Sequence, residues 1–226
     1  MEVTFFGHSS FLVNISGKKI LFDPFISPND NAKNIDVSTI EADYILVTHG
    51  HEDHVADVVS IAKRTGAIVV SNFEVISWFQ NQGLENVHPM NHGGSKTFDF
   101  GKVKYVNAIH SSTMPDGSVG GNPGGFVIQS DEKTIYYAGD TALTYDMKLI
   151  GEAFNIDFAF LPIGDNFTMD IHDAIKASDF VGTDKFIGMH YDTFPYIEID
   201  IDAVKKAGKE AGKELIMLNI GEKITL

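Results

Sequence analysis

Apolar residues along the chain fall into short runs separated by Gly, Asn and Asp, and a few intervening stretches carry helical spacing instead. A short apolar or alternating run bounded by turn residues suits a strand, because successive side chains there point to opposite faces of a sheet. On that basis residues 3–6, 11–15 and 19–23 predict three strands, the last two joined by a tight turn at Ser16-Gly17. A strand at 44–47 runs into a polar cluster, followed by a helix over 55–64, a strand at 68–71 and a short helix at 74–82. A second meander is predicted at 96–100, 103–108, 126–129 and 134–137, with turns at Gly101 and Asp131-Glu132. Strand and helix then alternate over 157–162, 171–180, 186–189, 201–211 and 215–219. Each half therefore reads as a meander followed by strand and helix, which predicts an α+β chain of two mixed sheets packed face to face with helices outside. No linker composition, short-period repeat or low-complexity tract separates the halves, so residues 1–226 are expected to form one domain.

Composition narrows the functional classes. An apolar share of 43% and a charged share of 21% are those of an ordinary globule. No run approaches the ~18 consecutive apolar residues of a transmembrane helix. The start, MEVTFFGHSSFLV, carries an acid where a signal peptide has a basic region, so a cytoplasmic location is expected. A formal charge of −14 argues against a nucleic-acid backbone or an anionic membrane as partner. A small-molecule substrate is the better expectation, and a homo-oligomer stays open. With no cysteine, any metal must be held by His, Asp or Glu.

The polar cluster is THGHEDH, Thr48 to His54, directly after the apolar run YILV. Turns favour Asn, Gly and Ser for backbone reasons that histidine does not share, so an ordinary exposed turn explains the composition poorly. A chain leaving a strand and curling toward a helix can turn His49, His51, Asp53 and His54 into one pocket. Three more polar residues close apolar strand runs: His110 after VKYVNAI, Asp140 after TIYYAG and His190 after KFIGM. Strand ends that share a sheet edge deliver such residues to a common crevice. Five histidines and two aspartates exceed the needs of one tetrahedral ion and suit two, about 3.5–4 Å apart. Divided by reach, His49, His51 and His110 hold the first, Asp53, His54 and His190 the second, and Asp140 lies between them. Zinc suits the histidines, and manganese or iron fits the two carboxylates nearly as well. Such a pair lowers the pKa of a shared water toward ~7, which makes hydrolysis by a metal-bridging hydroxide the natural reaction.

At these residues the chain resembles the metallo-β-lactamase superfamily. THGHEDH matches its HxHxDH signature, and His110, Asp140 of YAGDT and His190 follow in the order of its later metal motifs. The strings FFGHSSFLV, LFDPF, GGNPGGFVI and LPIGDNFTM are similar to its uncharacterised metal-dependent hydrolases near the ascorbate-6-phosphate lactonase branch. The resemblance implies an αββα four-layer sandwich, a dinuclear metal site at one edge, and cleavage of an ester-type bond, in a lactone or a phosphodiester. Asp53 would orient the nucleophile and take its proton, and Asp140 would bridge. Two rival classes remain: an iron-dependent oxidoreductase on the same ligands, and a binding protein whose metals are structural.

Several residues read two ways. His8 resembles a family position near the metals and reads equally as a satisfied structural histidine; Asp23 can fix the tautomer of a ligand histidine or simply end a strand before Pro24. Asp165, Asn166 and Thr168 of GDNFTM can line the pocket or form a turn and cap. His88 and His92 are expected to be no ligands, and His172 to be exposed near a helix start capped by Asp170. The Gly- and Pro-rich stretch 111–125 is expected to be a mobile cover over the metals.

Overall fold

Alternation along each strand sorts side chains into two faces, and two sheets each hide one face against the other. The computed structural model describes residues 1–226. Its strands are β1 (Glu2–Gly7), β2 (Ser10–Ile15), β3 (Lys18–Phe22), β4 (Tyr44–Leu46), β5 (Ile68–Asn72), β6 (Val87–Met90), β7 (Ser95–Phe98), β8 (Gly101–Asn107), β9 (Gly124–Gln129), β10 (Thr134–Tyr137), β11 (Phe158–Pro162), β12 (Lys185–Met189), β13 (Glu214–Ile216) and β14 (Lys223–Thr225). The helices are α1 (Glu52–Val55), α2 (Val58–Thr65), α3 (Phe73–Asn81), α4 (Asp146–Ala153), α5 (Ile171–Val181) and α6 (Ile201–Glu210).

One sheet runs β14-β1-β2-β3-β4-β5-β6 and the other β13-β12-β11-β10-β9-β8-β7. Both follow one plan. In the first, pairing is antiparallel as far as β3 and parallel from β3 to β6. In the second it is antiparallel from β7 to β10 and parallel from β10 to β13. Parallel partners need crossovers, and these place helices on the outer faces, giving the expected two mixed sheets with helices outside.

Aromatic side chains join the sheets. Phe22 stacks on Tyr137 with centroids 4.3 Å apart, and Phe11 meets Phe160 edge-on at 4.8 Å. All four are buried, and each contributes on the order of 2–3 kcal/mol by leaving water. A second apolar cluster lies under the helices of the first half, where Ile61 of α2 and Ile76 and Phe79 of α3 meet Ile45 and Val69. No helix is long and apolar enough to cross a membrane.

Departures from the predicted elements have local causes. The helix expected over 55–64 is two, α1 and α2, because the Asp57 N–H donates to Pro24 O at 3.1 Å instead of continuing the helix. The Asp57 carboxylate then accepts from Ile26 N at 2.7 Å and Ser27 N at 2.9 Å. Strand β6 contains Pro89, a demoting signal that an edge strand tolerates. Helix α4 starts at Tyr145 without a side-chain cap, so the usual start signal is missing. Strand β14 is three residues long and exists through its pairing with β1 at the opposite chain terminus.

Candidate metal centre

Strands β1, β3 and β4 of one sheet and β8, β10 and β12 of the other deliver their C-terminal ends to one edge of the sandwich. Polar residues at those ends meet there. His8 lies in the turn after β1, Asp23 follows β3, and Thr48–His54 follows β4. From the second half, His110 leaves β8, Asp140 leaves β10 and His190 leaves β12.

The ligand atoms of His49, His51 and His110 lie within 4.8 Å of one another, and so do those of His8, Asp53, His54 and His190. Asp140 stands between the groups. Its Oδ2 is 3.3 Å from His54 Nε2, 2.9 Å from His190 Nε2 and 3.6 Å from His110 Nε2. Asp53 Oδ2 is 3.9 Å from His54 Nε2 and 3.8 Å from His190 Nε2. Donors bound to one cation at about 2.0–2.2 Å stand roughly 3–4 Å apart, so these separations suit shared ions.

The donor atoms test that fit further. Asp23, fully buried, accepts from Thr48 N at 2.8 Å, from Thr48 Oγ1 at 2.7 Å and from His54 Nδ1 at 2.9 Å. With Nδ1–H engaged, His54 Nε2 presents a lone pair to the cleft, and that buried atom has no hydrogen-bond partner. Asp140 Oδ1 and His190 Nδ1 are also buried without partners. Buried polar atoms are seldom left so, and a cation supplies what a lone pair beside a carboxylate lacks. The residues present therefore fit a metal.

Electrostatics agrees. Burial lowers the pKa of His49, His51 and His110, which favours the neutral imidazoles that bind cations; His49 Nε2 and His51 Nδ1 already stand 3.0 Å apart. Burial would also lower His54, but the Asp140, Asp23 and Asp53 carboxylates outweigh it and raise that ring well above its usual range, so its Nε2 lone pair serves a cation only once the cation takes the place of the proton there. Burial opposes charge on Asp53 and Asp140, yet the neighbouring histidines hold both below the usual carboxylate range.

His8 joins the cluster. Its Nε2 is 3.1 Å from Asp53 Oδ2, its Nδ1 is 2.8 Å from Thr193 Oγ1, and its ring centroid is 4.2 Å from that of His190. Three cluster residues adopt left-handed backbone: His8 at φ 55°, Asp23 at φ 40° and His190 at φ 57°. For residues other than glycine this costs about 1–3 kcal/mol each, a strain typical of functional sites.

The remaining candidates lie elsewhere. Asp165 and Asn166 form a left-handed turn at φ 60° and 52°, and the Asn166 N–H donates to Asp165 Oδ1 at 2.7 Å. Neither hydrogen-bonds the cluster; the turn geometry absorbs the polarity that a pocket contact would need. Asp165 lines a separate cavity of about 290 Å³ with Asp170, His172 and Tyr196. His92 is tied to Pro123 O at 2.9 Å, His88 packs edge-on against Phe98, and His172 is exposed after the Asp170 cap. The stretch 111–125 makes contacts with the first half of the chain. Ser112 Oγ accepts from Gly50 N at 3.0 Å and donates to Gly120 O at 2.8 Å, Met114 is buried, and Asn72 Nδ2 donates to Gly120 O at 2.8 Å.

Sequence reasoning passed over Thr48, Thr193 and Ser112. Thr48 opens the THGHEDH motif and carries a weak signal by position; the others become visible only when loops distant in the chain are brought together.

Comparison with known proteins agrees with the geometry. Residues 2–190 match the Beta-lactamase superfamily domain. A UPF0173 metal-dependent hydrolase of Flavobacterium johnsoniae is 59% identical over 226 residues, covering all of both chains. Another, from Christiangramia forsetii, is 58% identical over 227 residues, again in full. Among solved structures, the metallo hydrolase Igni18 of the archaeon Ignicoccus hospitalis superposes with a TM-score of 0.89 at 35% identity, over 100% of this chain and 97% of that one. The chain belongs to the beta-lactamase superfamily, among its UPF0173 metal-dependent hydrolases.

Proposed function

We propose that residues 1–226 form a single-domain, cytoplasmic hydrolase that holds two divalent cations and cleaves an ester-type bond in a small molecule. His49, His51 and His110 would hold one cation, Asp53, His54 and His190 the other, and Asp140 would contact both. The observation that carries this reading is the placement of one carboxylate oxygen, Asp140 Oδ2, opposite imidazole nitrogens from both groups and both halves of the chain. Divalent cations in such a site lower the pKa of water toward neutrality and polarise the scissile oxygen.

The chain's own residues do the rest. Asp53 is the reachable base: its side chain is 23% exposed, against 2% for Asp140. Its Oδ2 would take the proton of the attacking water while His8 Nε2 holds the carboxylate in place. Asp23 keeps the His54 lone pair aimed into the cleft through the Nδ1 hydrogen bond. Thr48 orients Asp23, and Tyr105 OH, 2.7 Å from Thr48 O, anchors the strand end beneath both. Elemental analysis of the purified protein, paired with a panel of lactones, carboxylic esters and phosphodiesters, tests the reading. Asp140→Ala should leave fewer than two cations per chain and lower turnover on the order of 10³-fold. Two cations and full turnover in that variant would refute it.

A further inference from the structure

The segment after His190 returns to the cluster through one hydroxyl. Resting on the hydrolase reading above, in which Asp53 takes the proton of the attacking water, we infer that Thr193 is a positioning residue. Its hydroxyl fixes His8 in the rotation and tautomer that donate Nε2–H to Asp53.

Two sets of contacts place that hydroxyl. The His8 carbonyl accepts from His190 N at 2.9 Å, which ties the turn after β1 to the end of β12. Asp192, in left-handed backbone at φ 56°, then closes the following turn. Its N–H donates to Ile197 O at 2.8 Å, its carboxylate accepts from Ile199 N at 2.9 Å, and its carbonyl accepts from Asn31 Nδ2 at 2.9 Å. Thr193 is thereby held with Oγ1 2.8 Å from His8 Nδ1, as the hydrogen-bond partner of that nitrogen. Packing alone does not orient the ring. His8 and Thr193 line a cavity of about 340 Å³ whose walls include Tyr191, Lys205 and Leu218, so the ring has room to turn on that side.

The direction of each bond follows from what its two ends can do. A carboxylate only accepts, so at 3.1 Å the His8 Nε2 carries the proton that it shares with Asp53 Oδ2. The ring is 2% exposed and sits against Phe25, Phe194 and the imidazoles of His54 and His190, surroundings that favour its neutral form. In a neutral ring with Nε2 protonated, Nδ1 is a lone pair that needs a donor. The Thr193 O–H supplies it. That hydroxyl has a competing acceptor in Tyr191 O at 3.2 Å, but the 2.8 Å contact with Nδ1 is the shorter. Valine at this position would keep the shape and remove the donor. The Nδ1 lone pair would then be buried without a partner, and rotation of the ring away from Asp53 toward the cavity would be unopposed.

The parent protein gives the first test, with neither metal nor turnover. Nitrogen NMR of the histidine rings in chelator-stripped protein at neutral pH should show His8 with a bare Nδ1 and a protonated Nε2. The reverse pattern would make Thr193 the acceptor, leave a lone pair facing the cluster and overturn the inference. Thr193→Val should move the Nδ1 signal toward that of an unbonded lone pair, and Thr193→Ser should leave it as in the parent. In metal-loaded protein, on whichever ester of the panel is turned over, Thr193→Val should lower kcat about tenfold with KM within about twofold. Thr193→Ser should stay within about threefold of the parent, since it keeps the donor. If serine is as impaired as valine, or if neither changes kcat, Thr193 only fills space and the inference fails. If no ester is turned over while the Nδ1 signal responds as expected, the hydrolytic reading fails and the hold of Thr193 on His8 and Asp53 stands.

Discussion

The two halves of the molecule follow one strand plan and use it differently. After β4 the first half places THGHEDH, four donors within seven residues; at the matching position after β11 the second half places IGDNFTM, which brings no donor to the cluster. The second half contributes instead by single residues at separate strand ends, His110, Asp140 and His190. Both halves leave buried donor atoms unpartnered, His54 Nε2 in the first and Asp140 Oδ1 and His190 Nδ1 in the second, but only the first backs a proposed ligand with a fully buried carboxylate, Asp23 on His54 Nδ1. The first half is therefore the more prearranged by its hydrogen bonds. Symmetry of backbone does not carry symmetry of chemistry; the sheets fix where strand ends meet, and the loops decide what is placed there.

Cations shared between the halves make the largest test of this comparison. Proposed ligands come from both sheets, so removing metal should loosen their union. With metal at 1,000 times its Kd, binding adds about 4 kcal/mol to stability, which corresponds to roughly 8–16 °C in a chain of this size. Calorimetry of loaded and chelator-stripped protein should show a drop of that order. An unchanged Tm would mean that the halves are held by the metal-independent contacts between the sheets, such as Phe22–Tyr137, Phe11–Phe160 and Tyr105–Thr48.

The next effect isolates the prearranged half. Asp23→Asn keeps the volume but offers His54 Nδ1–H a weaker acceptor, or turns an N–H toward it and inverts the tautomer. Competition against a chromophoric chelator should show metal affinity lower by about 10–100-fold. Affinity equal to the parent would leave Asp23 as a strand-ending residue only, the other reading its sequence allows.

How much of this was legible follows from the range over which each signal acts. The sandwich and the histidine motif are local: alternation gives the strands, and THGHEDH holds its donors within seven residues. His110, Asp140 and His190 stood out because each ends an apolar run. His8 and Asp23 stayed open because their roles depend on left-handed backbone and on partners 45 and 31 residues away, Asp53 and His54. Asp165 and Asn166 show the converse. Polar residues after a strand look the same in sequence whether the chain turns them into a site or into each other. The Gly and Pro content of the stretch 111–125 gives no sign of its contacts with Gly50 and Asn72, which lie far off in sequence.

Those contacts cross the halves and give a smaller effect. Ser112→Ala leaves the buried Gly50 N–H without a partner and should cost about 1–3 kcal/mol in denaturant unfolding. It should also raise amide exchange in 112–120 without altering the rest of the second sheet. Uniform exchange across the protein would show that the contact supports the fold as a whole rather than this grip on the histidine motif.

The smallest effect belongs to the loop that carries no donor. Asn166 holds φ at 52°, a conformation glycine adopts without strain, and its N–H to Asp165 Oδ1 bond survives substitution because it uses the backbone. Asn166→Gly should therefore shift stability by less than about 0.5 kcal/mol, relief of strain offsetting the greater freedom of the unfolded chain. Turnover should stay within roughly threefold, below the 10²-fold that loss of a charge-stabilising contact produces. A larger fall in kcat with stability unchanged would place this side chain on the substrate. The second half would then act through its loop after β11 as the first half does through the loop after β4, and the asymmetry between them would be one of ligand type alone.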